Sequence, residues 1–222
     1  MDKKKLFIIG SSGHAKVALD IAIKMDCFDF SGFLDVPKLH GKNVWGYKVI
    51  GTEDDIPFLV KENPSCLFHI GVGNSYLRYE ISEKIKKKLP NVSFVNLIHP
   101  TAIIGTNVIL GEGNIIMASA VVNPDVRLGN FNIINTKASI DHECLIGSYN
   151  TFAPGVTTGG NVIIDDFVFL GIGCNLKHSI NIKRNCIVGG GSFVGKDCKE
   201  NSLYYGVPAK YIREHNFGEN YL

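Results

Sequence analysis

The stretch IDHECLIGSYNTFAPGVTTGG, residues 140–160, decides the fold, because it carries an apolar residue at every sixth position: Ile140, Ile146 and Phe152, with Thr158 next in line. The same ruler runs outward from Ile98 through Ile104, Leu110, Ile116, Val122, Leu128 and Ile134, and onward through Ile164, Leu170, Leu176, Ile182, Val188 and Val194. Sixteen of these seventeen positions are apolar, and only Thr158 breaks the run. A chain that is 45% apolar would give about eight by chance, so the repeat is real. A period of six is three strand alternations, which makes each hexad a short strand and a corner with the ruler residue pointing inward. The residue after the ruler is often Gly, Asn or Asp, as at Gly105, Gly129, Asn123 and Asp141, and is expected to supply the corner's backbone angles. The fifth residue of many hexads is small or apolar, as at Ala120, Val126, Ala138 and Val156, and gives a second inward side chain. Three such hexads form one triangular coil, and the chain is expected to be a solenoid of parallel strands, a hexapeptide β-helix.

That register stacks residues eighteen apart at the strand spacing of about 4.8 Å. On this repeat, and on the closing Tyr205-Gly206-Val207-Pro208-Ala209-Lys210, the chain resembles the hexapeptide-repeat acyltransferases. The resemblance implies a left-handed β-helix; the period alone does not give the hand.

Bulk composition narrows the classes. A formal charge of +2 and the lack of a long basic stripe leave no footprint for nucleic acid. No apolar run approaches the roughly 20 residues of a membrane helix. Leu6-Phe7-Ile8-Ile9 is too short for a signal sequence, so a cytoplasmic enzyme is expected. Of the six cysteines, Cys144, Cys174, Cys186 and Cys198 all fall in the fifth slot of their hexads and read as inward core residues. No Cys-x-x-Cys pair exists, and no metal is expected.

Ahead of the solenoid, a buried-strand signal at Lys5–Ile9 runs into Gly10-Ser11-Ser12-Gly13-His14, then into an apolar-periodic helix with Val17, Ala18, Ile21, Ala22 and Met25. Strand, glycine turn and helix form a phosphate-cradling arrangement. A second strand ends in Asp35, a third covers Cys66–Ile70 before a Gly71-Val72-Gly73-Asn74 turn, and a helix follows from Tyr76 to Leu89 with a basic face at Lys84, Lys86, Lys87 and Lys88. Residues 1–97 are therefore expected to form a Rossmann-like α/β domain, and residues 98–222 the β-helix with a C-terminal tail. GSSGH is not GxGxxG, and so short a domain has room for one mononucleotide-binding half.

With the strand, GSSGH, Asp35 and Gly71-Val-Gly-Asn-Ser75 preceding the solenoid, the whole chain resembles the bacterial nucleotide-sugar N-acetyltransferases of the bacillosamine pathway and the related sialic acid O-acetyltransferases. The resemblance implies a nucleotide sugar contacted by Gly10, Gly13, His14, Asp35 and Gly73. It also implies acetyl-CoA in a groove between subunits of a homotrimer, with Asn135, Ile172 and Gly190 along its path. Thr151 stands where one relative places a histidine, so that contact differs here.

Acetyl transfer to an amine needs a base, a held thioester and donors for the oxyanion. His142 occupies the third place of its hexad, which faces outward; by position it is either a base or a solvated surface histidine. The resemblance makes it the catalytic base. Glu143 is expected to pair with its ring, with Asp141 as competitor. Eighteen residues on lies Gly160, whose N–H is expected to face the thioester oxygen, and His178 continues the same column. The resulting expectation is transfer of acetyl from acetyl-CoA to the 4-amino group of a nucleotide-linked 4-amino-4,6-dideoxy sugar by direct attack, for glycan or O-antigen assembly. The rivals are O-acetylation of a sialic-acid-type sugar, a non-catalytic nucleotide-binding module, and a nicotinamide oxidoreductase suggested by Asp35.

Overall fold

The computed structural model describes residues 3–219 and divides into two compact units, Met1–Pro100 and Thr101–Leu222. The division falls slightly after position 97 because Leu97 is fully buried and the Ile98 amide donates to Met25 Sδ, 3.3 Å away, which ties this segment to the first unit.

The first unit is a five-stranded sheet in the order β3-β4-β2-β1-β5. Strands β1 (Lys4–Ile9), β2 (Phe28–Leu34) and β5 (Leu67–Ile70) are parallel, with β1 between the other two. Helix α1 (Gly13–Met25) crosses from β1 to β2 and buries Ala15, Ala18, Leu19, Ile21 and Ala22. Val17, expected on that apolar face, is instead 38% exposed. Between β2 and β5 the chain adds an antiparallel hairpin of β3 (Asn43–Val44) and β4 (Tyr47–Gly51), then helix α2 (Ile56–Glu62), neither of which the sequence reading contains. Helix α3 (Ser75–Lys88) is capped by Asn74, whose side chain accepts the Leu77 amide, and its Lys84 and Lys88 pair with Glu53 and Asp54. Because β1 leads through α1 to β2 on one side, while β5 leads through α3 to Phe94, bridged to Phe68 on the other, the loops after β1 and β5 diverge and mark a switch point at the carboxyl end of the sheet.

The second unit is a left-handed parallel β-helix with three faces of two-residue strands. One face stacks Val121–Val122, Ser139–Ile140, Thr157–Thr158 and Asn175–Leu176; the second Arg127–Leu128, Leu145–Ile146, Ile163–Ile164 and Asn181–Ile182; the third Ile115–Ile116, Ile133–Ile134, Thr151–Phe152 and Phe169–Leu170. Each of these pairings joins residues eighteen apart, as the ruler requires, and only at the last coil does the offset fall to sixteen, with Cys186 opposite Ser202 and Ile182 opposite Cys198. From Ile116 to Val194 every ruler residue is buried, and Cys144, Cys174, Cys186 and Cys198 are buried beside them. The third face ends in an antiparallel hairpin, Ser202–Gly206 with Ala209–Glu214.

The corners differ from expectation in one respect. The left-handed residue is the third after the ruler, at Asp125, Phe131, Lys137, Glu143, Tyr149 and Phe167, all with φ between +55° and +63°. The glycines directly after the ruler serve a steric need: a Cβ on Gly105 would lie 2.5 Å from Pro124 N of the next coil, and one on Gly171 2.5 Å from Gly190 N.

The edge joining the second and third faces carries two ladders. Asn114, Asn132 and Asn150 fill the inward fifth slot and are fully buried. Each Oδ1 accepts the backbone amide one coil on: Asn132, Asn150 and Val168 at 2.8, 2.8 and 2.7 Å. The Nδ2 groups of Asn114 and Asn132 donate to Gly129 O and Gly147 O, both at 2.9 Å. Beside them Phe131, Tyr149 and Phe167 stack nearly parallel, with centroids 5.3 and 5.1 Å apart. Replacing Asn132 by Leu strands the Asn150 amide and the Gly147 carbonyl in the interior. The expected cost is on the order of 3 kcal/mol, read as a lowered denaturant midpoint with unchanged m-value.

Candidate functional site

The outward corner between the first and second faces holds His142 and Glu143, the expected base and its expected partner. Ser139–Ile140 leads into it and Leu145–Ile146 leads out. Glu143 takes the left-handed slot at φ +59°, and this turn brings its carboxylate round to the preceding side chain. His142 Nδ1 lies 2.9 Å from Glu143 Oε2, both side chains being about half exposed. A carboxylate only accepts, so Nδ1 carries the proton and Nε2 presents a lone pair. Asn161 Nδ2 donates to the same Oε2 at 3.4 Å from one coil on. Asp141 acts on the backbone instead of the ring. Its Oδ1 accepts the His142 amide at 2.9 Å and Asn123 Nδ2 at 2.9 Å, fixing the chain under the imidazole.

The imidazole lies directly over Gly160. A Cβ there would come within 2.6 Å of both Cε1 and Nε2, so only glycine leaves room for the ring. Thr158, the break in the ruler, is buried under the same corner. Its Oγ1 accepts the Asp141 amide at 3.0 Å, where other coils use the ruler residue's carbonyl, as in Asn123 N to Ile140 O. The strand ladder is correspondingly shortened to the single pair Ser139 and Thr157. Thr158 was visible in the sequence as an irregularity, and the structure gives its reason.

Cys144, two residues from His142, points the other way. Its Sγ donates to Gly159 O at 3.4 Å, and burial raises its pKa above the ordinary thiol value. Cys174 is pushed up to about 12 by the same cause. Such thiols are poor nucleophiles. Cys144→Ala is expected to retain full turnover, and a thiol reagent applied to the folded protein to spare Cys144 and Cys174; activity loss that tracks Cys144 labelling contradicts this.

The remaining expected residues fall into two groups. Ile172 and Gly190 stack on each other along the edge joining the third and first faces: Ile172 is 67% exposed, and a Cβ on Gly190 would lie 3.1 Å from Ile172 O. Asn135 begins a corner on that same edge, its Oδ1 accepting the Thr136 amide at 2.8 Å. Thr151 is buried on the third face, and His178 is exposed one coil beyond Gly160.

In the first unit, Gly10, Gly13, His14, Asp35 and Gly73 gather at the loops after β1, β2 and β5. Gly10, at φ +97°, sits so close to the second loop that a Cβ would be 3.1 Å from Gly71 O. Asp35 accepts the Ser11 hydroxyl at 2.6 Å and the Val36 amide at 2.7 Å. Gly13 opens α1, and a Cβ added there would meet nothing within 4 Å. Gly73 O and Val72 O accept Arg78 Nη1 at 2.7 and 3.1 Å, and Arg78 is itself 1% exposed. Sequence reading did not single out Arg78, a charged residue hidden on the inner side of α3, nor its neighbour His69. Burial, with the charge of Arg78, lowers the His14 pKa to about 3, and its buried Nε2 has no hydrogen-bond partner among the described residues. Burial likewise lowers His69 to about 4, despite its Nδ1 contact with Val95 O at 3.1 Å.

Both histidines are thus neutral in the fold and take up protons when it opens. Their contribution is complete above the unfolded pKa of 6.5 and is lost as pH falls toward 4, on the order of 3 kcal/mol for His69. The thermal midpoint is expected to drop on going from pH 7 to pH 5, and the drop to shrink in His69→Gln.

Among the described residues no helix is long and apolar enough to cross a membrane, and no cluster of three or more His, Cys, Asp or Glu could hold a metal ion. The PglD N-terminal domain family matches residues 5–85. The chain is 30% identical over 190 residues to a GDP-perosamine N-acetyltransferase of Escherichia coli O157:H7, covering 84% of this chain and 82% of that one. Its fold is similar to the crystal structure of PerB from Caulobacter crescentus in complex with CoA and GDP-perosamine, with TM-score 0.86, 31% identity, and coverage of 94% and 97%. The acetyltransferase domain of PglB from Neisseria gonorrhoeae aligns with TM-score 0.83 and 28% identity over 95% of this chain and all of that one. With this extent of likeness along both units, the chain belongs to the hexapeptide-repeat family of nucleotide-sugar N-acetyltransferases that carry the PglD N-terminal domain.

Proposed function

We propose that this protein transfers acetyl from acetyl-CoA to the 4-amino group of a nucleotide-linked 4-amino-4,6-dideoxy sugar. The observation that carries the reading is the half-exposed His142 ring, held through Nδ1 by Glu143 at 2.9 Å and seated over Gly160. The neutral amine attacks the thioester carbonyl carbon while Nε2 takes an N–H proton, and Glu143 balances the imidazolium that forms. The Gly160 amide is our candidate donor to the oxyanion. Collapse breaks the C–S bond, and the proton on Nε2 passes to the departing CoA thiolate. No acyl-enzyme is needed, in keeping with the buried Cys144. Similarity to enzymes named N-acetyltransferases favours an amine over a hydroxyl acceptor.

In this reading the first unit holds the nucleotide through Gly10, Gly13, His14, Asp35 and Gly73, and the β-helix holds CoA near Asn135, Thr151, Ile172 and Gly190. Asn135, Ile172 and Gly190 lie on a different edge of the prism from His142, with a whole face between. A CoA arm laid along that edge of one chain would reach the His142 of another, which supports a homotrimer with sites between subunits. Exposed Leu145 and Ile163 beside the His142 corner give such an interface apolar surface. Six free cysteines fit the reducing cytoplasm, which is where we place the reaction.

His142→Ala is expected to lower kcat by roughly 10²–10⁴ with CoA affinity nearly intact, Glu143→Gln to be milder, and Gly160→Ala to lower kcat by displacing the ring. Near wild-type turnover of His142→Ala with a 4-amino nucleotide sugar would exclude His142 as the base. Sedimentation is expected to give a trimer; a fully active monomer is the contrary result.

A further inference from the structure

Five residues that follow the ruler on the first face have a further coil beyond them: Gly105, Asn123, Asp141, Gly159 and Lys177. Four of their backbone amides donate to the carbonyl of the ruler residue one coil on, Val122, Ile140, Leu176 and Val194, at 2.7 to 2.9 Å. Asp141 is the exception. Its amide donates to the Thr158 hydroxyl at 3.0 Å. The change of acceptor thus falls at the one polar position of the ruler, and directly ahead of His142.

A ruler side chain points into the coil, and Thr158 is 2% exposed. Its hydroxyl therefore offers an acceptor displaced inward from the strand line, and the Asp141 peptide follows it. The same Oγ1 lies 3.8 Å from Cys144 Sγ, so one buried hydroxyl touches both flanks of the pair His142 and Glu143. From Asp141 the constraint passes on, because Asp141 Oδ1 accepts the His142 amide at 2.9 Å. The residues after Thr158 serve the same corner. Gly159 O accepts from Cys144 Sγ at 3.4 Å, Gly160 seats the imidazole, and the Asn161 amide donates to His142 O at 3.0 Å.

For the fold alone the hydroxyl is a disadvantage. An aliphatic side chain would fill the column as Ile140 and Leu176 do on either side, and the carbonyl of residue 158 would take the Asp141 amide, restoring the missing ladder pair. A local rule broken against stability is expected where function requires it. We infer that Thr158 is a positioning residue for the base: by taking the Asp141 amide in place of a carbonyl, its hydroxyl sets the corner so that the His142 ring lies over Gly160 with Nε2 toward the acceptor amine. The inference rests on the base proposed above and extends it to a buried residue that touches neither substrate.

The test is steady-state acetyl transfer from acetyl-CoA to GDP-, UDP- and dTDP-linked 4-amino-4,6-dideoxy sugars. The variants are Thr158→Val, Thr158→Leu and Thr158→Ser, each alone and combined with His142→Ala. Val and Leu both remove the hydroxyl, so that a misfit of one of them in the core does not decide the result. They are expected to hold or raise the thermal midpoint and to keep KM for acetyl-CoA. Their kcat should fall about tenfold, the scale of a slightly displaced reacting group. Thr158→Ser keeps the hydroxyl and is expected to retain kcat. In the His142→Ala background neither Val nor Leu should lower the residual rate further, since a residue acting through the ring has nothing left to act on. Undiminished kcat in Thr158→Val or Thr158→Leu, with His142→Ala impaired, overturns the inference and leaves the base assignment standing. A loss of equal size with and without His142 also overturns it, by assigning Thr158 to the fold alone. If His142→Ala turns over at near the wild-type rate, or the wild-type protein acetylates none of these sugars, the reading proposed above falls and this inference with it.

Discussion

Coil stacking is the constraint on which the β-helix depends: each residue sits on the one eighteen positions later, at the distance of a strand ladder. Whatever fills a column must therefore suit a near copy of itself above and below. The ruler columns meet this with interlocking aliphatic side chains. The Asn114, Asn132 and Asn150 column meets it with side-chain oxygens that each accept an amide of the next coil, while the Nδ2 groups of Asn114 and Asn132 also donate to a carbonyl, so three buried polar side chains serve as rungs. Beside it, Phe131, Tyr149 and Phe167 stack face to face because the left-handed corner slot repeats their orientation in every coil.

The candidate catalytic corner is a local departure from that regularity. A hydroxyl at Thr158 replaces a carbonyl as acceptor for the Asp141 amide, the ladder loses a pair, and Gly160 withdraws its side chain under His142. Along an extended strand His142 and Glu143 would point to opposite sides. The positive φ at Glu143 turns them to the same side and within hydrogen-bonding distance. The corner thus brings an imidazole and a carboxylate from two adjacent residues together, while Cys144, next in sequence, is turned into the core.

The α/β unit shows a different use of charge. Arg78 is buried against the carbonyls of the second glycine loop, and His14 and His69 are kept neutral beside it by desolvation and by that same cation. On its surface Lys84 and Lys88 pair with Glu53 and Asp54, Lys3 with Asp26 and Lys24 with Asp20.

The amino-acid sequence alone determined the solenoid, its eighteen-residue stacking, the inward slots of Cys144, Cys174, Cys186 and Cys198, and the outward place of His142, because a strict period leaves one register that buries the ruler. It also disclosed the strand, glycine loop and helix at the start. It did not disclose the β3–β4 hairpin, whose Trp45-Gly46 turn lacks the usual residues, or α2, which is too short for a clear period. It misplaced the corner's left-handed residue, since the glycines after the ruler answer to contact with the next coil and not to backbone angle. Whether Asp141 or Glu143 partners the ring, why Thr158 interrupts the ruler, and that Arg78 and His69 lie buried together were decided only by tertiary structure. Each depends on the turn of one corner or on atoms brought from another coil or helix, and no spacing along the chain encodes those distances.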